Sequence, residues 1–272
     1  MRIRTLAAAT LACAVIGGLT ACSSSGTAES DAKPGTGPTT AKPAEPAKSA
    51  DPADPFADLS GPEIHEKAYA ATKAANSLRL TGQVRTDGKD IRMDLALNVK
   101  GECAGTVTLG TMGTAEIVKS SDFIYYKGDA ELYRSQTKGR PKQQVDAMVA
   151  MLADRWLKMR AGSPQAKQSS QMCDLDKLLQ SFGKSSPVAR RGGPATVGGQ
   201  PALTVTAPAK DGGLETYYVA TKGAPYLLRA TKGGKEPGDL TFSDYEKPVD
   251  VTPPADKDVI DADKLRGPGK AA

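Results

Sequence analysis

Residues 78 to 99 alternate apolar and polar positions for longer than anything else in the chain. Leu78, Leu80 and Val84 stand apart from Arg79, Thr81 and Gln83. After a break at Asp87-Gly88 the pattern resumes, with Ile91, Met93, Leu95, Leu97 and Val99 alternating with Arg92, Asp94, Ala96 and Asn98. A period of two belongs to strands, whose side chains point to opposite faces in turn. Asp-Gly tolerates the positive φ of a tight hairpin turn. The stretch therefore predicts two long antiparallel strands with one dry face and one wet face. A dry face must be covered, and this requirement governs the reading of everything else.

The same alternation, at shorter length, predicts strands over 103–109, 115–119 and 122–127, and later over 202–207, 214–220, 226–231 and 239–245. Turns separate them at Gly110 to Gly113, Ser120-Ser121, Asp211 to Gly213, Lys222-Gly223 and Gly233-Gly234. Between the two groups the period becomes helical. Val145, Met148, Val149 and Leu152 form one stripe, and Leu175, Leu178, Leu179 and Phe182 another, with a short strand over 155–158 between them. A first helix is expected after Ser60-Gly61-Pro62-Glu63, where serine, an early proline and a glutamate three residues on make a capping box. Ile64, Ala68, Ala71 and Ala75 give its apolar stripe, and His65 falls one place off it, on the expected solvated face. Residues 128–138 are ambiguous. Strands grouped on either side of a helical insert predict the α+β class: one curved antiparallel sheet with helices on one face, in a single domain over 60–265.

The amino end is of another kind. Arg2 and Arg4 precede an apolar run from Leu6 to Gly18, which ends at Leu19-Thr20-Ala21-Cys22. The run is shorter than the ~20 residues of a membrane span. It reads as an export signal over 1–21. The last four residues look like the bacterial lipobox, in which the cysteine is acylated (with palmitate among the chains) and becomes the mature amino terminus. An ordinary signal with a chance cysteine is the competing reading. Acylation at Cys22 would tether the chain to the outer side of the cell membrane, because two acyl chains anchor stably where one does not. Residues 22–59, rich in Ser, Gly, Ala, Thr, Lys and Pro, lack the large apolar residues of a core and are expected to form a spacer of roughly 35 Å. Residues 266–272 are an expected flexible tail.

The charge of +5 falls to +3 once Arg2 and Arg4 leave with the signal, and both signs are interspersed. No concentrated basic face with aromatic platforms points to nucleic acid. The basic clusters at Lys138-Gly139-Arg140-Pro141-Lys142 and Arg190-Arg191 read first as solvated loops, with anionic head-group contact as the alternative.

In an exported chain Cys103 and Cys173 are left to pair, and a disulfide is predicted. Closing so long a loop would contribute about 4 kcal/mol on the chain-entropy model. A metal site is the rival, but two cysteines and one histidine do not complete a tetrahedral set, and no metal or cofactor is expected. No motif for hydrolytic, metallopeptidase or phosphate-loop chemistry occurs, and His65 is poorly placed as a general base, so no enzymatic activity is expected. Asp94 and Glu116 could meet across strands, but carboxylates on wet sheet faces are common.

Several segments together are similar to actinobacterial lipoproteins of the LppX/LprG type, within the wider LolA/LolB group of lipoprotein carriers. They are the lipobox and spacer, the helix leading into Ser77 to Val84, Gly101 to Gly110, Ile124 to Tyr133, Arg155 to Met159, Met172 to Leu179, and the closing stretches from Tyr217 to Ala230 and from Phe242 to Asp261. This resemblance implies a half-open β-barrel whose concave side is partly covered by helices, around an apolar cavity for acyl chains. The residues expected to line it are Leu80, Val84, Ile91, Met93, Leu95, Leu97, Met148 and Leu152. Strand alternation alone leaves open whether that face is a dry core or a pocket. The resulting expectation is a monomeric, membrane-anchored lipoprotein that binds a lipid or other hydrophobic ligand. The alternative is a non-catalytic envelope scaffold with a filled core.

Overall fold

The computed structural model describes residues 54–264. The expected export signal at 1–21, Cys22, the expected spacer as far as residue 53 and the expected tail lie outside the described residues. The last part of the expected spacer belongs to the packed part of the chain. Phe56 is 1% exposed, and Arg191 both pairs with Asp54 and donates to the Phe56 carbonyl at 2.7 Å.

The long alternation folds as its period dictates. β1 (Ser77–Thr86) and β2 (Lys89–Asn98) form a hairpin, turned by Asp87 and Gly88 at φ 51° and 72°. β3 (Cys103–Leu109), β4 (Thr114–Lys119), β5 (Phe123–Gly128) and β6 (Trp156–Arg160) continue the meander outward from β2. On the other side of β1 lie β11 (Gly238–Ser243), β10 (Leu227–Lys232), β9 (Leu214–Ala220), β8 (Gln200–Pro208) and β7 (Arg190–Val197). A three-residue β12 (Val259–Asp261) adds in parallel beyond β6. The result is one curved, unclosed sheet of 12 strands in the order β12-β6-β5-β4-β3-β2-β1-β11-β10-β9-β8-β7, an α+β half-open barrel.

Register separates the faces. Phe242, Leu80, Leu95, Gly105 and Ile117 share one rung, and Leu240, Gly82, Met93, Val107 and Ala115 the next. These positions form the dry face. Gly82 and Gly105 sit on it at φ 138° and 149°, and a side-chain carbon at either would strike the carbonyl of the neighbouring strand, at Asp239 and Asp94 respectively. A strand without a Cβ at such points can bend sharply, which contributes to the curl of the sheet. The wet face carries Arg79, Thr81, Asp94, Thr106, Glu116 and Lys127. Asp94 and Glu116 do not meet, because Thr106 of β3 lies opposite both. Asp94 instead pairs with Arg79, and Glu116 with Lys127, each at 2.7 Å.

Helices cover the dry face. α1 (Gly61–Ala74) starts at the expected capping box, with the Glu63 carboxylate accepting from the Ser60 amide at 2.8 Å, and lies against β7 to β10. It buries Ile64, His65, Ala68 and Thr72. His65 is therefore not on a solvated face. A helix pressed into a concave sheet buries a wide stripe at i, i+1, i+4 and i+8, and residue 65 falls inside it. At the far end of α1, the Thr72 hydroxyl accepts the Leu227 amide at 2.9 Å, where a bulge in β10 takes that strand out of register with β9. α2 (Ala130–Gln136) resolves the ambiguous stretch and is capped by Asp129. α3 (Lys142–Leu152), α4 (Pro164–Ser170) and α5 (Leu175–Gln180) follow. Cys103 of β3 and Cys173, just before α5, are joined by a disulfide with Cα atoms 5.3 Å apart.

Candidate functional site

At the end of the sheet where β1 turns into β2, the helical cover stands off the strands and leaves a hollow of about 370 Å³. Its floor is Leu80 and Val84 of β1, Met93 of β2 and Leu240 of β11. Leu178 and Phe182, at the end of α5, form its roof. Phe182 is held by an edge-to-face contact with Phe242, their ring centroids 5.1 Å apart. The volume lies at the low end of the ~300–1,000 Å³ typical of ligand pockets, and its lining is mostly apolar.

Charged groups at the mouth are already matched. Arg85 pairs with Asp90 at 2.7 Å and Lys232 with Asp211 at 3.3 Å. Glu236 accepts the Asp87 amide at 2.9 Å. Glu215 accepts the Tyr217 hydroxyl at 3.0 Å, and burial, together with that carboxylate, raises the Tyr217 phenol well above its usual range. Both cations of the rim are engaged by carboxylates, and Glu215 and Glu236 accept hydrogen bonds from neutral donors, so among the described residues the rim offers no free cation to an anionic head group. The interior offers apolar surface.

Behind this wall lies His65, 1% exposed, its ring 4.3 Å from that of Tyr217 and neither nitrogen hydrogen-bonded. Burial lowers its pKa, against the smaller opposing pulls of Glu66, Glu215 and the nearby Phe182 backbone, which comes close to the ring without completing a hydrogen bond. A sealed neutral imidazole without a partner cannot exchange a proton with a substrate. Among the described residues no cluster of His, Cys, Asp and Glu could hold a metal ion, and no helix is long and apolar enough to cross a membrane.

A larger depression, about 590 Å³, lies on the opposite face, lined by Thr81, Gln83, Arg92, Arg229, Asp239 and Thr241. It is shallow and polar, and its Arg229 guanidinium is already engaged by Asp239. It has none of the apolar enclosure of the hollow.

Of the residues expected to line a cavity, Leu80, Val84 and Met93 do so. Leu95 and Leu97 are 2% and 0% exposed in closed core, and Ile91 packs partly buried against that core. Met148 and Leu152 are not part of the hollow. They sit on α3, in the excursion between β5 and β6. Leu178, Phe182, Tyr217 and Leu240 were not foreseen as lining. The helical stripe 175–182 was readable, but nothing local said which strands it would face. Cys103 and Cys173 are joined as expected, and Cys22 lies outside the described residues.

The fold and the hollow define a half-open antiparallel barrel with a helical cover and an apolar recess beneath it. Solved structures of similar arrangement include LprF from Mycobacterium bovis, 16% identical over 72% of this chain and 97% of that one, with a TM-score of 0.47. LppX, a lipoprotein of Mycobacterium tuberculosis, is 18% identical over 71% and 98%, with a TM-score of 0.44. A putative outer membrane lipoprotein-sorting protein domain from Vibrio parahaemolyticus is 12% identical over 70% and 94%, with a TM-score of 0.24. These are proteins of the LppX/LprG and lipoprotein-sorting kinds that the sequence resembles, and at such identities and TM-scores the likeness says nothing of function. No protein-family model and no curated protein matches the sequence.

Proposed function

We propose that this chain is an extracytoplasmic lipoprotein, held at the cell membrane by acylated Cys22, which binds one acyl chain or a similarly slender hydrophobic ligand in the hollow beneath α5. The observation that carries this reading is the apolar recess between Leu80, Val84, Met93 and Leu240 below and Leu178 and Phe182 above. Binding there works by burial. Each methylene withdrawn from water contributes about 0.8 kcal/mol, so on the order of eight methylenes give about 6 kcal/mol before the cost of association is set against it. Its size favours a single chain over a bulky glycolipid. A rim whose two cations are already engaged fits a ligand recognised by its tail, which could be passed on between membrane and envelope acceptors. No catalytic role is proposed, and the protein is taken to act as a monomer.

Purified protein should retain lipid visible by native mass spectrometry and bind a fluorescent fatty acid. Met93→Trp, which fills the hollow from its floor, should remove that binding while circular dichroism stays unchanged. Bare polypeptide together with no fatty-acid binding would overturn the reading, and would favour instead a scaffold whose inner face is simply core.

A further inference from the structure

Among the described α-helices, α3 alone buries no residue. Its stripe of Val145, Met148, Val149 and Leu152 is only half covered, and Met151 beside it is 49% exposed. An amphipathic helix of a folded domain normally spends such a stripe on the core. Here none of the stripe is fully buried, and Met151 opens beside it to solvent, at a particular place. α2 and α3 leave the sheet at Gly128, which shares a rung with Ala115, Val107, Met93, Gly82 and Leu240. The mouth of the hollow, at Val84 and Gly238, lies just beyond that rung. Helix and mouth therefore project from the same end of the sheet.

The flanks of the helix are basic. Between residues 137 and 155 there are four cations, Lys138, Arg140, Lys142 and Arg155, and two acids, Asp146 and Asp154, a balance of +2. Lys138, Arg140 and Arg155 are exposed and make no ion pair among the described residues. Lys142 pairs only with Asp146, one turn along its own helix.

We infer that α3 and its basic flanks seat on the surface of an anionic lipid bilayer. Its valines and methionines enter the boundary between head groups and acyl chains, and Lys138, Arg140 and Arg155 lie against lipid phosphates. A short apolar stripe edged by cations matches both properties of such an interface, shallow apolar depth and negative surface potential. Unbranched methionines adapt to a fluid surface. A second copy of the chain fits less well, since a two-fold contact through α3 would bring the same cations together about the axis. The surface lies outside the hollow, so the inference holds whatever the hollow carries.

The test uses the chain carrying Cys22→Ser, so that no acyl anchor contributes, and sedimentation with phosphatidylcholine vesicles with and without phosphatidylglycerol. Binding is expected only with phosphatidylglycerol. It should weaken about tenfold or more in Met148→Gln/Met151→Gln and in Lys138→Gln/Arg140→Gln, but not in the charge-matched control Lys184→Gln/Lys222→Gln. Circular dichroism and fatty-acid binding in solution should be unchanged in each variant. Unaltered vesicle binding by both α3 variants, or no binding to anionic vesicles by the parent, would overturn the inference. So would a concentration-dependent dimer in the parent that the methionine variant abolishes. Loss of fatty-acid binding alone would count against the hollow and leave the docking surface standing.

Discussion

His65 occupies a site that suits only its neutral form. Both ring nitrogens are buried without a partner, between α1 and the ring of Tyr217, and an imidazolium there would be desolvated with no compensating hydrogen bond. Burial lowers its folded-state pKa below the ordinary histidine value. As pH falls below that value the unfolded chain takes up the proton first, so stability present at neutral pH is lost progressively towards the folded-state value. Glu63, Asp90, Asp174, Asp244 and Glu246 are all held below their usual carboxylate ranges by hydrogen bonds, so their contribution is lost in a more acidic window. Urea unfolding midpoints should therefore fall between about pH 7 and about pH 5 in the parent protein and hold nearly level in His65→Leu. A parent midpoint that does not move over that range would contradict this account.

Among the elements, the turn just before α5 and the strand β3 are joined by a covalent bond that spans the sheet and its cover. The Cys103–Cys173 link closes a sequence separation of 70 residues, worth about 4 kcal/mol on the chain-entropy model. Cys103→Ala/Cys173→Ala should lose about that much in denaturant unfolding. The loss should be accompanied by faster amide exchange in α5, whose Leu178 and neighbouring Phe182 roof the hollow. The elements also divide by how plainly the sequence announced them. β1 and β2 were legible because ten residues of strict alternation leave only one pairing that keeps the apolar set on one side. β7 was not, because Gly192, Gly193 and Pro194 look like a turn, and an edge strand tolerates a proline that a central strand would not. β12 is three residues long and exists only by leaning on β6. α3 was legible as a helix, but its stripe, at 145 to 152, lies outside the hollow it was expected to line.

On the scale of the whole molecule, the two strand groups meet at β1 and β11, and the hollow opens beside that seam, floored by strands from both groups. A ligand held there touches β1, β2, β11 and the end of α5 together, so occupancy should stabilise the entire fold. At a fatty-acid concentration of about 100 times its dissociation constant, the gain should be about 2.7 kcal/mol, a rise of several degrees in thermal midpoint that Met93→Trp abolishes. No shift in the parent at saturating fatty acid would count against a ligand in the hollow. The sequence by itself determined the strands of the central sheet, the capped first helix, the pairing of Cys103 with Cys173 and the dry face through Leu80, Val84 and Met93. Periodicity and capping act within a few residues of one another, so the elements and the dry face were readable, while the cysteine pair followed from there being two cysteines left in an exported chain. Only the tertiary structure decided that Leu95 and Leu97 are sealed while Leu80 and Met93 border space, that His65 is buried, and that α3 stands clear of the hollow. Those outcomes depend on how closely distant segments approach across the curved sheet, and no local pattern encodes a gap between surfaces.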